Sequence, residues 1–352
     1  MDGLTHPRDL EAWHRWQLGR QPLARRVRRV AGVLAEIARP SRRPGGVVVT
    51  RGGTGPVRLL VVLDATSPTS LAALLRPLGH LPLGDVAVVS RDAVKPLLPP
   101  WVWRESQGVA HEDLPRLASG APAVLSVGHF LPLGAAARTA VTDPSRFVTV
   151  QHGLLTPHAP PLAEGTTLLA WSAGDADFWR SGRDDVSAHV VGSQLLWDAA
   201  DHPATPDPAA PPVFLGQLHS AELGRETAER AAEEFCRTHG ARYRPHPSET
   251  DRRSRATHAR WEAEGIVLDR SGTPLRELGA PVASVFSTGV LEAAAAGLPS
   301  GVFLPDPPSW VAGFWSRYGL RPWDERPTPS PERPATEPSR AAATVLEGMM
   351  GR

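Results

Sequence analysis

Residues 281–304 read PVASVFSTGVLEAAAAGLPSGVFL and predict a strand, a tight turn, a short helix and a second strand. The first strand is assigned to the Val- and Ala-rich run Pro281–Phe286, and the helix to Val290–Ala296, which holds mostly strong helix formers. Gly297 and Pro299 then end the helix. The stretch therefore has the pattern of a strand–turn–helix–strand unit.

The turn of this unit consists of Ser287, Thr288 and Gly289. It places backbone N–H groups and two hydroxyls at the positive end of the helix dipole, an arrangement that suits phosphate binding. Glu292 lies one turn further on, where its carboxylate would accept hydrogen bonds from the two hydroxyls of a ribose. The alternative is that Ser287 or Thr288 only caps a core helix and Glu292 complements its dipole. Both interpretations stay open on this segment alone.

The composition of the 352-residue chain is that of a globular protein with room for two domains. It is 41% hydrophobic and 21% charged, and its net charge of +1 gives no global indication of nucleic-acid binding. Cys236 is the only cysteine, which excludes intramolecular disulfides and zinc sites built on several cysteines. The polar first residues do not resemble a secretory signal, and no apolar run reaches ~18 residues. We therefore expect a cytoplasmic protein.

Lys95 is the only lysine. A Walker-type phosphate loop is therefore excluded, and a lysine Schiff base is disfavoured. Any phosphate must be bound by arginine, histidine, hydroxyl or backbone groups.

The first part of the chain is strongly basic, with a net charge of +7 over residues 1–51. Apolar residues at helical spacing predict an amphipathic helix with a basic face: Leu23, Val27, Val30, Leu34 and Ile37. Residues 22–43 would lie on an anionic membrane surface, which would make the protein peripheral on the inner membrane face. The alternative is a helix that docks on the protein's own core and exposes its basic face.

Short apolar strands alternate with helical stretches from Val57 to Trp197, and again from Val213 onwards. This alternation predicts an α/β fold with two Rossmann-like domains facing a cleft, because parallel sheets are covered by helices on both faces. The predicted segments are a basic helical extension and linker (1–46), an N-terminal Rossmann-like domain (47–198), a Pro-rich linker (199–212), a C-terminal Rossmann-like domain (213–324) and a Pro-rich tail with a terminal helix (325–352).

Gln151-His152-Gly153 follows a predicted strand at the carboxyl edge of the first sheet. His152 is a candidate general base, because the pKa of an unperturbed histidine lies near working pH and glycine leaves room for a ligand. A structural histidine after a strand is the alternative.

Arg244-Pro245-His246-Pro247-Ser248-Glu249 follows a strand of the second sheet. The prolines restrict the backbone on either side of His246. The Arg244 guanidinium would bind phosphate oxygens bidentately, and a protonated His246 would neutralise a departing phosphate. The alternative is a Pro-rich turn with a surface histidine. If the two sheets face each other, both loops and the Ser287 turn share one cleft.

The motifs QHG, RPHP and STGVLEAAAAGLP together resemble bacterial transferases of the GT-B fold with CMP- or CDP-activated donors, over roughly Leu59 to Pro305. This group includes CDP-glycerol glycerophosphotransferases and polysialyltransferase-like proteins. The resemblance implies that the first domain binds the acceptor and the second the donor. It assigns phosphate contacts to the His-Pro motif and the hydroxyl turn, ribose binding to a following Glu, and the base to a His-Gly pair. The matching residues are His246 and Pro247, Ser287 and Thr288, Glu292, and His152 with Gly153. Ser248 and Gly289, in the same two loops of the second domain, are further candidates for donor binding.

We therefore expect a metal-independent transferase without a cofactor, which moves a sugar or glycerol phosphate to a hydroxyl of a cell-surface glycan or lipid-linked precursor. Arg244 and His246 would stabilise the departing phosphate. A nucleotide-sugar epimerase of the same fold is one alternative, and a non-catalytic nucleotide-binding module is another. No nucleic-acid partner is expected.

Overall fold

The computed structural model describes residues 3–20, 47–109 and 113–351. The basic helix predicted within residues 22–43 lies outside them, so both interpretations of that segment stay predictions. Within the described part of the chain, no helix combines the length and apolar character needed to cross a bilayer.

The described residues form twelve strands and twelve α-helices. The strands are β1 (Val47–Arg51), β2 (Leu59–Leu63), β3 (Val86–Ser90), β4 (Arg104–Val109), β5 (Ala123–Ser126), β6 (Phe147–Val150), β7 (Thr167–Ala170), β8 (Ser187–Val190), β9 (Val213–Leu215), β10 (Arg242–Arg244), β11 (Val282–Ser284) and β12 (Ser300–Val302). The helices are α1 (Leu10–Arg20), α2 (Pro68–Leu75), α3 (Asp113–Gly120), α4 (Pro132–Ala140), α5 (Ala173–Arg180), α6 (Gln194–Asp201), α7 (Arg225–His239), α8 (Arg252–Ala263), α9 (Leu275–Leu278), α10 (Thr288–Ala295), α11 (Ser309–Arg317) and α12 (Pro338–Met349).

The chain divides into two compact units. The N-terminal unit comprises the described residues up to Gln194 together with those from Pro334 onwards, and the C-terminal unit is Leu195–Arg333. The Pro-rich segment predicted as a linker begins within α6 and is held on the C-terminal unit by hydrogen bonds from Ala204 N to Ala296 O (2.8 Å) and from Asp207 N to Gly279 O (2.9 Å).

The N-terminal unit contains an eight-stranded sheet with the order β4-β1-β3-β2-β5-β6-β7-β8. β1 runs antiparallel to both of its neighbours, β3 and β4, and the other neighbouring strands pair in parallel. Central strand β2 is apolar on both faces because helices cover both: Leu59, Val61 and Leu63 face a cluster with α2 and α12, and Leu60 and Val62 face α3 and α4. The terminal helix, predicted from the sequence within a tail, thus contributes to the core of this unit.

The C-terminal unit contains the parallel sheet β10-β9-β11-β12. Isolated parallel bridges join Tyr243 to Leu268 and Val302 to Pro322, which adds one chain segment at each edge. Counted within the unit, the order is then 3-2-1-4-5-6, the order of dinucleotide-binding sheets. The strand order reverses between β9 and β11, and ligands of such sheets bind in the crevice beyond this switch point. The sequence prediction of Rossmann-like units is confirmed.

Candidate functional site

The loops that follow β9 and β11 lie side by side at the switch point of the C-terminal unit. Gln217 joins them, because its Oε1 accepts hydrogen bonds from Ser284 Oγ (3.0 Å) and from the backbone N–H of Phe286 (3.0 Å). The side-chain amide therefore fixes the entry to the Ser287 turn relative to the end of β9. Gln217 was not identified as a site residue from the sequence.

Ser287 is the N-cap of α10: its Oγ accepts a hydrogen bond from Gly289 N (3.1 Å). The capping interpretation therefore holds for this hydroxyl. Gly289 packs closely on the end of β9, since a Cβ at this position would lie 2.4 Å from Leu215 Cδ1 and that side chain would have to move. This close contact places the positive end of the α10 dipole beside the end of β9, where an anion is favoured. Thr288, the first residue of α10, is half-buried.

His246 is half-buried, and its Nδ1 accepts a hydrogen bond from Ser248 N (3.1 Å). An accepting Nδ1 carries no proton, so the ring is a neutral imidazole whose Nε2 is the N–H donor. Burial lowers the pKa of His246, against the opposing charge of Glu249. The structure therefore supports a neutral hydrogen-bond donor here, whereas the sequence analysis expected a protonated ring.

His219 stacks on His246, with ring centroids 3.8 Å apart and an interplanar angle of 16°. The two rings come from the loops after β9 and β10, which are neighbouring strands. His219 was not identified from the sequence. A usable signal existed, since His219 follows the apolar strand VFL closely, as His152 and His246 follow theirs.

The Arg244 guanidinium forms an ion pair with Asp269. Its Nε and Nη2 lie 2.9 and 2.7 Å from Asp269 Oδ2, and Nη2 lies 3.4 Å from Ser271 Oγ. Burial alone would raise the pKa of Asp269, but hydrogen bonds from Ser271 and the charge of Arg244 hold it below its usual value. A bidentate phosphate contact, as the sequence predicted, would therefore have to compete with Asp269.

Glu292 is half-buried in α10. Burial raises the pKa of its carboxyl group, although the nearby charges of Arg244 and Arg276 oppose the shift. The side chain is thus an acceptor in a partly dry, positively charged environment, which suits the ribose contact that the resemblance implies. Pro247 and Ser248 are exposed in the same unit.

The QHG loop of the N-terminal unit is held by Gln151, whose side chain is buried. Gln151 Oε1 accepts from Trp171 N (2.8 Å), Gln151 O accepts from Trp171 Nε1 (3.0 Å), and Gln151 Nε2 donates to Gly153 O (3.1 Å). His152 is half-buried between these anchors. Burial lowers its pKa to about 4, and a hydrogen bond with the Val150 backbone opposes this shift. The imidazole is therefore unprotonated at neutral pH, the state that a general base needs.

Two further histidines of this unit share that property. Burial, reinforced by nearby positive groups, lowers the pKa of both His129 and His158 to about 4. His129 follows β5, the neighbour of β6, and His158 stacks on Trp16 of α1 with centroids 4.6 Å apart. The sequence analysis singled out neither residue.

We expect acidification to destabilise the N-terminal unit through these three histidines. An unfolded histidine titrates near pH 6.5, so between about pH 6.5 and 4 the unfolded state binds more protons and stability falls with falling pH. Each histidine should cost about 1–2 kcal/mol between pH 7 and pH 5.

Urea unfolding of the full chain at pH 7 and at pH 5 measures this loss of stability. The loss should be smaller than in the unchanged chain by about 1–2 kcal/mol in His158→Gln. In His202→Gln, which replaces an exposed histidine of the C-terminal unit, the loss should equal that of the unchanged chain. An equal loss in all three proteins would contradict the assignment.

A metal site is not evident in the part of the chain that the structure describes, where no three or more His, Cys, Asp or Glu side chains are grouped to hold an ion. The expectation of a metal-independent reaction stays a prediction.

Known proteins resemble this chain in structure but not in sequence. The chain matches no protein-family model and no curated protein. Methanocaldococcus jannaschii UDP-GlcNAc 2-epimerase, solved with UDP-GlcNAc and UDP, aligns with a TM-score of 0.54 at 10% identity over 82% of this chain and 99% of its own. An O-GlcNAc transferase mutant of Thermobaculum terrenum aligns at 0.40 and 15% identity, over 84% of this chain and 62% of its own. The Anabaena protein HepE with UDP and glucose aligns at 0.42 and 14% identity, over 83% and 89%. At 10% identity the likeness to the epimerase shows the fold alone, and the chain has the α/β architecture of the GT-B type.

Proposed function

We propose that this protein is a GT-B transferase that moves a sugar or a glycerol phosphate from a nucleotide-activated donor to a hydroxyl group. The observation that carries the proposal is the stacked pair His219–His246 beside the capped N-terminus of α10, at the switch point of a 3-2-1-4-5-6 sheet. Imidazole N–H groups and a helix N-terminus are donors suited to the phosphates of a nucleotide.

In this proposal the C-terminal unit binds the donor. The histidine pair and α10 contact the phosphates, and Glu292 accepts hydrogen bonds from the ribose. Ser248 donates its backbone N–H to His246 and so fixes the ring. Pro247 limits the backbone conformations of the same loop. Arg244 orders the loop through Asp269 and adds positive charge near Glu292.

The N-terminal unit supplies the base. Neutral His152 takes the proton of the acceptor hydroxyl. The oxygen of that hydroxyl attacks the sugar carbon or the phosphorus of the donor. The bond from that atom to the nucleotide phosphate breaks, and the departing oxygen takes the electron pair. Hydrogen bonds to this developing charge are usually the largest catalytic contribution. A hydroxyl of a cell-surface glycan or its lipid-linked precursor is the acceptor class that the sequence resemblance implies.

Calorimetric titration with CMP, CDP, UDP and GDP, followed by a donor-hydrolysis assay, tests the proposal. Binding of one nucleotide together with hydrolysis of its activated donor is the expected result. The sequence resemblance favours the cytidine nucleotides. Binding without turnover of any donor would instead indicate a non-catalytic module, and conversion of a nucleotide sugar to its epimer would indicate an epimerase. No binding of any nucleotide would refute the proposal.

A further inference from the structure

Glu249 is a buried carboxylate to which neither the sequence analysis nor the proposed function assigns a role. Its side chain has 0% exposure. Three donors converge on it: the Tyr243 hydroxyl at 3.0 and 3.1 Å, His258 Nε2 at 2.9 Å and the backbone N–H of Leu218 at 3.0 Å. Burial and the charge of Glu249 raise the pKa of Tyr243 far above its usual value, so the phenol stays a donor.

These contacts tie together the two loops that carry the histidine pair. Leu218 immediately precedes His219, and the backbone N–H of Glu249 itself donates to His246 O (2.8 Å). One residue therefore holds the backbone beside each ring, with its carboxylate on one side and its amide on the other.

Gly216 allows this arrangement. A Cβ at this position would lie 2.3 Å from the Tyr243 hydroxyl oxygen and 2.7 Å from Glu249 Oε1, so any larger residue would push the loop away from the carboxylate. A further backbone hydrogen bond, from Gly216 N to Arg244 O (2.8 Å), joins the same two loops.

Burying a carboxylate costs desolvation free energy, and well-packed apolar residues stabilise a core as well or better. The geometry of Glu249 gives it another use, because its carboxylate accepts from Leu218 N in the loop of His219 while its own backbone N–H donates to His246 O in the other loop. We infer that Glu249 is a positioning residue that holds His219 and His246 as a single two-histidine site for the phosphate groups of the nucleotide. This inference rests on the proposed function, which assigns both histidines to the phosphates, and it adds the residue that holds the two rings together.

The test compares His219→Gln, Glu249→Ala and Glu249→Gln with the unchanged full chain. The control is Leu298→Ala, which opens a cavity in the apolar core of the same unit. CDP and UDP are titrated by calorimetry, melting temperatures are measured, and the histidine ring resonances are followed by NMR. His219→Gln and His246→Gln assign the signals of the pair.

We expect His219→Gln to weaken nucleotide binding ~10-fold or more with an unchanged melting temperature, since one hydrogen bond to a charged group is lost. Glu249→Ala should weaken it at least as much. Glu249→Gln should restore part of the affinity, because its amide oxygen still accepts from Leu218 N. Leu298→Ala should lower the melting temperature without weakening binding. The upfield shifts that stacked rings impose on each other should vanish in Glu249→Ala and persist in Leu298→Ala.

Wild-type affinity and unchanged ring shifts in folded Glu249→Ala would overturn the inference. If that variant does not fold, Glu249→Gln decides the matter: it removes one of the two acceptor oxygens of the carboxylate, and wild-type affinity with unchanged ring shifts in this variant would overturn the inference. If the unchanged chain binds no nucleotide, the proposed function fails, and with it the phosphate-binding role of His219. The ring shifts would still decide whether Glu249 positions the pair.

Discussion

Replacing His246 by alanine is expected to lower the turnover of the nucleotide-activated donor ~100-fold or more, while the melting temperature of the chain changes little. The physical reason is the fixed direction of its Nε2–H donor. Nδ1 is held by Ser248 N, and one ring face is held by His219. Alanine removes both the donor and the stacking partner. Because the side chain is half-buried in a loop, its loss opens little core volume.

Single-turnover rates with the donor identified by titration measure this effect, together with thermal unfolding of each protein. His202→Ala is the matched control, since it removes an exposed histidine from the same unit. Its turnover should equal that of the unchanged chain. Turnover within about threefold of wild type in a folded His246→Ala protein would remove His246 from the proposed site.

The sequence predicts regular elements well where local chemistry decides them. The stretch 281–304 is β11, α10 and β12, in the order that its composition predicts. The predicted helix start shifts from Val290 to Thr288 because the Ser287 hydroxyl caps the helix. The sequence missed α8, RRSRATHARWEA, because its buried face carries Ser254, Thr257, His258 and Trp261 instead of an aliphatic stripe. The sequence also missed the edge strand β4, because its residues, RESQGV, are mostly polar and form no apolar run.

The candidate site was only partly predictable, because a linear motif does not show which strands are neighbours. His152, His246 and the Ser287 turn each follow a strand, and the sequence identifies them on that basis. His219 also follows a strand, but its stacking on His246 depends on the placement of β9 beside β10, which the sequence does not show. The Arg244–Asp269 ion pair also depends on tertiary contacts. The sequence does not show these contacts, so Arg244 was predicted to bind phosphate.

Replacing His152 by glutamine is expected to lower turnover by ~100-fold or more while leaving nucleotide affinity unchanged. General acid–base catalysis typically contributes 10²–10⁴-fold, and glutamine cannot accept the proton of the acceptor hydroxyl. Affinity should persist because the proposed donor contacts all lie in the C-terminal unit. The Gln151 and Trp171 hydrogen bonds that fix this loop do not involve the His152 side chain, so the fold should be maintained.

The pH profile separates a base from a structural histidine. Protonation of His152 abolishes its action, so kcat/KM of the unchanged chain should be level at neutral pH and fall on acidification as the pH approaches the His152 pKa of about 4. The residual activity of His152→Gln should lack this acidic limb. His158→Gln is the matched control, since its pKa is lowered to about 4 in the same unit while its ring stacks on Trp16. A full acidic limb and near-normal turnover in His152→Gln would assign the base to another residue, and His129, after the neighbouring strand β5, is the first to replace next.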